Sequence, residues 1–390
     1  MFARLWRFLR HTPEAPPQAA RPAASGLGPR AEESTGAAAM TPPPLPRAAA
    51  AVGAADGRQT GPETANDNAL LSSERRPSEE AFFTRLAQTL KPIEALGYEE
   101  DAQISALVLQ VVAYVTQKKL DPPVVPALVP RVLAIVDEPE VDLVKLTHVI
   151  QQDLAISAKL LSVANSPLFG SSTEIKTVRQ AIAHLGTEQV AQIAIGLACR
   201  SSLDSTSREP SPFAARWQRL FQHAMTCAFT AAHLTGKQDK AAQEAAFLGG
   251  LFHDVGKAVA LRALEALIAH GAFKTPSEEM IDELLQRIHA YPGDEFYDKW
   301  TLPESLMDLC ARHHQLDELV YADPQLERSF HLVCLASSFD SLLTGNAASR
   351  RSALAEARTS ADRLGMPELA LRAAYADVQR FGERTARMFQ

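Results

Sequence analysis

Apolar side chains recur at helical spacing through most of the chain, from about residue 79 to residue 345. In residues 143–150, for example, they stand three or four positions apart, which is the period of one face of an α-helix. Breaks such as Asp-Pro-Pro at 121–123 separate the periodic stretches. No stretch alternates apolar and polar residues between turn signals, as a β-strand would. The pattern therefore predicts an all-α fold.

The first 79 residues follow a different pattern. Residues 12–79 are rich in alanine, proline, glycine and polar residues, and have too few apolar side chains to offset the entropy of ordering, so we expect a disordered tether. In residues 1–11, apolar positions share one helical face and three arginines occupy the rest. Such an amphipathic helix suits a membrane surface or a partner groove. The alternative is a frayed terminus, because so short a helix is marginal in water.

These patterns divide the chain into five parts. After the amphipathic segment 1–11 and the tether 12–79, two periodic stretches in 80–121 predict a helical lead-in. Residues 122–345 form one large helical domain, compact and multi-helical, in which the helical period is nearly continuous. Residues 346–390 are polar and arginine-containing, and predict one or two C-terminal helices.

Composition narrows the class of function. A formal net charge of -7 argues against nucleic acid as a partner, since phosphate binding needs a basic footprint. The four cysteines form no CxxC pair, which disfavours both a disulfide framework and a thiolate zinc site. The sequence contains no run of about 18 apolar residues, so we expect no transmembrane helix. We therefore expect a cytoplasmic protein, with weak peripheral membrane contact through residues 1–10.

Two sequence blocks resemble a known family. The first reads IQQDLA at 150–155 and continues to ANSPLFG at 164–170; the second reads FLGGLFHDVGK at 247–257. Further on, WTLP at 300–303 and the pair His313-His314 follow in the expected order. Over roughly 122–345 these blocks resemble the HDOD domain, a regulatory relative of the HD and HD-GYP phosphohydrolases.

The resemblance implies a metal site. In HD hydrolases, histidine and aspartate side chains from several helices hold one or two divalent ions that activate water toward a phosphoester. Imidazole suits Fe, Mn or Zn. Carried over position by position, the candidate ligands are His223, His253, Asp254, His289, His313 and His314. Lys257 resembles the family lysine that holds a substrate phosphate.

The chain departs from the HD pattern at two places. The last metal carboxylate of HD enzymes sits in an Ala-Asp pair, and the comparable helix here reads Ala336-Ser337. Serine brings no negative charge, and Asp340, one turn further on, is the alternative ligand. The Gly-Tyr-Pro signature of cyclic dinucleotide phosphodiesterases is also absent. The resemblance thus implies a non-enzymatic signalling module that acts through protein partners, with a metal-dependent phosphohydrolase of nucleotides or other phosphoesters as the alternative.

Overall fold

A computed structural model describes residues 77–90, 98–119, 126–166, 173–204, 211–236, 239–272, 274–289 and 303–388. The expected amphipathic segment 1–11 and nearly all of the expected tether 12–79 lie outside these ranges. No described residue is in a β-strand, so the all-α prediction is confirmed. None of the described helices is both long and apolar enough to cross a bilayer.

Fifteen α-helices make up the described part of the chain. They are α1 (Pro77–Thr89), α2 (Tyr98–Tyr114), α3 (Leu128–Val136), α4 (Leu143–Gln151), α5 (Leu154–Ala164), α6 (Val178–Leu185), α7 (Thr187–Asp204), α8 (Ala214–Thr235), α9 (Lys240–Phe252), α10 (Val255–Ala269), α11 (Glu278–Ile288), α12 (Glu304–Arg312), α13 (Pro324–Thr344), α14 (Ala347–Leu364) and α15 (Glu368–Met388). A short π-helix, Val115–Lys119, extends α2, and a 3-10 turn, Leu316–Glu318, follows α12.

Polar side chains fix where several of these helices begin. Asp142 and Asp153 accept hydrogen bonds from the first free backbone N–H groups of α4 and α5. Thr177 and Gln180 form a reciprocal capping box at the start of α6. Each cap satisfies donors that have no partner inside the helix. The sequence thus sets these helix starts locally, before any tertiary packing.

Helix α13 lies at the centre of the core. It packs against α8, α9, α14 and α15, and its residues 329–336 are all buried. Burial of so many consecutive residues means that every face of α13 meets another helix. Phe330 and Phe339 are among the largest fully buried side chains. The same helix carries Ser337 and Asp340, so these two candidate residues lie on a helix that other helices surround.

The segments predicted as a lead-in and as C-terminal helices pack on this same core. In α1, Phe82 makes edge-on contacts with Phe339 of α13 and Tyr375 of α15. Helix α2 packs against α10 and α11. Helices α14 and α15 both contact α13. The described parts of 80–121 and 346–388 therefore share the hydrophobic core of the central helices.

Candidate metal centre

The helices bring all six candidate ligands into one buried cluster. His223 projects from the middle of α8, and His253 and Asp254 form the junction between α9 and α10. His289 ends α11, and the pair His313-His314 follows α12. Asp254 lies at the centre, with histidine Nε2 atoms 3.3 to 3.7 Å from its two oxygens.

All five histidines are oriented in the same way. The Nδ1 atoms of His253, His289 and His313 lie 2.9 to 3.2 Å from backbone carbonyl oxygens of their own helices. Those of His223 and His314 lie 2.6 and 2.8 Å from carboxylates. Because these oxygens can only accept, each Nδ1 carries a proton and donates it. In the rings that are neutral, Nε2 therefore presents a lone pair to the interior, as metal-bound histidines do.

One half of the cluster consists of His289, His313, His314 and the Oδ1 atom of Asp254; we call it the three-histidine half. The Nε2 atom of His289 lies 3.1 Å from that of His313 and 2.7 Å from that of His314. Two facing lone pairs at such distances repel unless a cation lies between them. The Oδ1 atom is buried, 3.4 Å from two of these nitrogens, and has no hydrogen-bond partner. The three nitrogens form a group that could hold a metal ion, with the Oδ1 atom of Asp254 beside two of them.

The other half consists of His223, His253, Ser337 and the Oδ2 atom of Asp254; we call it the serine half. The Ser337 hydroxyl lies 3.1 Å from the Nε2 atom of His253 and 3.4 Å from that of His223. Lys257 donates to Oδ2 over 2.6 Å. A hydroxyl therefore stands between the two histidines where HD enzymes have a carboxylate, and an ammonium group balances the charge of Asp254.

Asp340 does not take the place of that missing carboxylate. Its Oδ2 atom accepts the Nδ1 proton of His223 at 2.6 Å and faces the side of the ring away from the metal-facing nitrogen. Asp340 therefore orients His223. The reason is geometric, since one helical turn separates Asp340 from Ser337 and moves its carboxylate to the far edge of the imidazole ring.

Burial sets the protonation of the cluster. Loss of solvation lowers the pKa of His253 and His289 well below the ordinary value, so both rings are neutral. Burial opposes ionisation of Asp254, but Lys257 and the surrounding histidines outweigh it and lower the pKa of that carboxyl. Neutral His253 and His289 beside an ionised Asp254 have the protonation states that metal binding requires. Burial also acts to lower the pKa of His223, but Cys227, Asp254 and Asp340 outweigh it and raise that pKa well above the ordinary value. A metal bound by His223 would therefore have to displace a proton from this ring.

A cleft of about 600 Å³ opens onto the serine half. Its walls include His223, Asp254 and Lys257, together with Arg219 and the start of α14. The described residues that line the cleft do not include His289, His313 or His314. His289 and His313 are buried. The cleft therefore reaches the half that lacks the carboxylate, whereas in the three-histidine half only His314 is partly exposed, at 26%.

Sequence reasoning missed two residues of this site, Glu356 and Cys227, and gave a third, Asp340, a different role. Glu356 of α14 holds the Nδ1 proton of His314 at 2.8 Å, and nothing in the sequence links positions 42 residues apart. Asp340 was considered only as a ligand. Cys227 lies with its Sγ atom 3.7 Å from the Nε2 atom of His223. Its spacing of four residues from His223 is a signal that could have found it, since such positions share one helical face.

Residues 123–316 match the profile of the HDOD domain, and this part of the chain belongs to that family. An uncharacterized protein of Treponema pallidum is 21% identical over 63% of this chain and 48% of its own length. The cyclic di-GMP phosphodiesterase CdgJ of Vibrio cholerae is 34% identical over 30% of this chain and 24% of its own length. The chain thus spans at most about half the length of these relatives.

Two solved structures are similar at low identity. A protein of Shewanella amazonensis, provisionally described as a metal-dependent phosphohydrolase, is 20% identical with a TM-score of 0.46, over 72% of this chain and 99% of the other. An HDOD domain protein of unknown function from Geobacter sulfurreducens is 16% identical with a TM-score of 0.45, over 80% of this chain and 98% of the other.

Proposed function

We propose that the chain is a cytoplasmic signal-transduction module that acts through protein partners, and that it holds a divalent ion without turning over phosphoesters. The observation that carries the proposal is the division of the site. The three-histidine half has the better ligand set but does not line the cleft, whereas the half that faces the cleft has Ser337 in place of a carboxylate. A substrate in the cleft would therefore meet the half that is less able to hold an ion.

The residues that would hold the ion are His289, His313, His314 and Asp254 through Oδ1. Four protein ligands are typical of structural zinc sites, whereas catalytic zinc keeps three and leaves a position open. An ion held in this way would act as a Lewis acid. Its bonds to these ligands would link the ends of α11 and α12 to the junction of α9 and α10. Its role would then be to stabilise the form of the domain that partners recognise.

Exposed apolar side chains offer support for a protein partner. Leu143 and Val144 begin α4, Leu154 begins the adjoining helix α5, and these side chains are 46%, 62% and 83% exposed. Most large apolar side chains in the described ranges are buried. Contiguous exposed apolar patches mark protein contact surfaces, and Leu143 and Val144 are neighbours at one helix start.

The second candidate is a metal-dependent phosphohydrolase. The cleft favours it, because Lys257 lines a space next to His223 and Asp254 from which it could reach a phosphate, although carboxylates also line this cleft and pair with its arginines. One relative is named a cyclic di-GMP phosphodiesterase, although the match covers 24% of that protein. Against it, Lys257 already donates to Asp254 and would have to leave that contact to hold a phosphate.

Turnover of a panel of phosphoesters, including cyclic dinucleotides, decides between the two. Wild-type protein loaded with Mn, Fe or Zn is compared with His253→Ala/Asp254→Ala and with the control His233→Ala, whose ring is about half exposed. We expect no turnover above the metal blank in any of them. We also expect Ser337→Asp to raise metal occupancy more than turnover. Hydrolysis by wild type that a folded double variant lacks would make the phosphohydrolase correct.

A further inference from the structure

We propose that the serine half binds a second, softer ion, zinc, through the thiolate of Cys227 together with His223, His253 and the Oδ2 atom of Asp254. This inference rests on the proposed function, in which the neighbouring half already holds an ion through the Oδ1 atom of the same carboxylate. In this arrangement the Cys227 thiolate is the anionic ligand that Ser337 cannot be. The site would be a two-ion centre with one oxygen- and nitrogen-ligated half and one thiolate-ligated half.

The three mutually close ligands are His223, Cys227 and His253, and Asp254 approaches them through the two histidines. The Cys227 Sγ atom lies 3.7 Å from the Nε2 atom of His223, and the ligand atoms of His223, Cys227 and His253 all lie within 4.8 Å of one another. Asp254 Oδ2 is 3.3 Å from the first histidine and 3.7 Å from the second. Ligands about 2.0–2.3 Å from a shared tetrahedral zinc ion stand about 3.3–3.8 Å apart.

The ligands are also held in place without an ion. His223 and Cys227 are four residues apart on α8, so both project from one face of the same helix. Asp340 fixes the His223 ring through Nδ1, and the Gly250 carbonyl oxygen fixes the His253 ring. Hydrogen bonds of this kind orient metal-bound histidines and maintain the metal-facing lone pair.

The chemistry explains why serine is tolerated at position 337. A serine hydroxyl carries no charge, so two histidines and half of a shared carboxylate would bind a dication weakly. When zinc binds, the Cys227 S–H bond breaks, the proton leaves to solvent, and a sulfur–zinc bond forms with no change of oxidation state. Thiolate favours zinc over magnesium or manganese. Four protein ligands would leave no open position, which agrees with a site that does not hydrolyse its ligands.

The other cysteines do not share this setting. All four are buried free thiols. Cys310 donates to the backbone carbonyl oxygen of Phe252, as a buried structural thiol does. In the described part of the chain, Cys227 is the cysteine that belongs to a group of metal-ligating side chains. Cys199, on α7, is buried outside both groups and provides the matched control.

Cobalt substitution tests the thiolate directly. Full-length protein is stripped of metal, equilibrated with excess Co²⁺ or Zn²⁺ and desalted, and bound metal is counted. We expect two ions per chain in the wild type and a sulfur-to-cobalt charge-transfer band in the near ultraviolet. Cys227→Ser should lose the band and one ion, whereas Cys199→Ser should keep both.

Each outcome separates this inference from the proposed function. One bound ion without the band would overturn the thiolate site and leave the three-histidine half intact. No bound ion would overturn both. A band that persists in Cys227→Ser would assign the thiolate to another cysteine and refute the inference. Since the band is read on wild-type protein, a variant that fails to fold does not prevent the test.

Discussion

The close approach of α10 to the end of α11 gives a sharp prediction for Gly256→Ala. A methyl group at Gly256 would lie 2.7 Å from the carbonyl carbon and 2.9 Å from the Cα atom of His289, and closer still to its carbonyl oxygen. These are backbone atoms, so no side-chain rotation relieves the clash. The two segments must separate by about 1 Å, because nonbonded carbon atoms prefer about 3.5–4.0 Å. His289 would then move away from Asp254.

Overpacking of this kind costs about 1–3 kcal/mol, and a clash with backbone atoms belongs at the upper end of that range; the preference of helices for alanine over glycine returns about 1 kcal/mol. We expect a net loss of about 2 kcal/mol, equivalent to a fall in Tm of about 5 °C, and weaker zinc binding by the three-histidine half. The control is Gly249→Ala, whose methyl would meet side-chain atoms of Leu309 and Val333, rather than backbone, at 3.0 and 3.2 Å.

Thermal denaturation and zinc titration of both glycine variants provide the measurement. Gly249→Ala should bind zinc as the wild type does, with a smaller change in Tm. If Gly256→Ala matched the wild type in both Tm and zinc affinity, the packing of α10 against His289 could not be what positions the site.

Three further predictions concern other parts of the chain. Burial raises the pKa of Glu244 to about 8 from 4.5, so between these pH values the folded state binds a proton that the unfolded state does not, and stability falls as pH rises. Glu244→Gln should reduce this fall when the free energy of unfolding is measured with denaturant at pH 5 and pH 8. The same fall in the variant would contradict the burial argument. Asn165 exchanges two part-buried 2.7 Å hydrogen bonds with the backbone of Ile175, so Asn165→Ala should lower the unfolding free energy by about 1 kcal/mol. Equal stability would show that these two hydrogen bonds contribute nothing. Vesicles with anionic lipid should retain the full chain better than a chain lacking residues 1–11; equal sedimentation would rule out the membrane contact.

The sequence was sufficient for the fold class because the helical period persists through nearly every described segment. It also identified the six ligand candidates, through the resemblance rather than through physics. It could not predict the division of the site, because which oxygen of Asp254 faces which histidines depends on how four helix ends meet. The orienting roles of Asp340 and Glu356 were hidden for the same reason, since both contacts join helices distant in sequence.

At position 337 the sequence suggests a weaker metal site than the structure does. The sequence shows the loss of a carboxylate there, and the natural reading is a vestigial site. The structure adds that Cys227 lies next to His223 and that Lys257 balances the charge of Asp254. Reasoning from cysteine spacing in the sequence had disfavoured a thiolate site, because the histidine partners of this cysteine come from other helices or stand one turn away.

The metal content of protein purified without added metal or chelator tests the central claim most directly. Elemental analysis of the wild type should find at least one divalent ion per chain, and a His313→Ala/His314→Ala variant that remains folded should lose the ion of the three-histidine half. His270→Ala, which changes an exposed histidine outside the cluster, should keep the wild-type content. Wild-type protein without bound metal that also fails to take up added Zn, Mn or Fe would contradict the account.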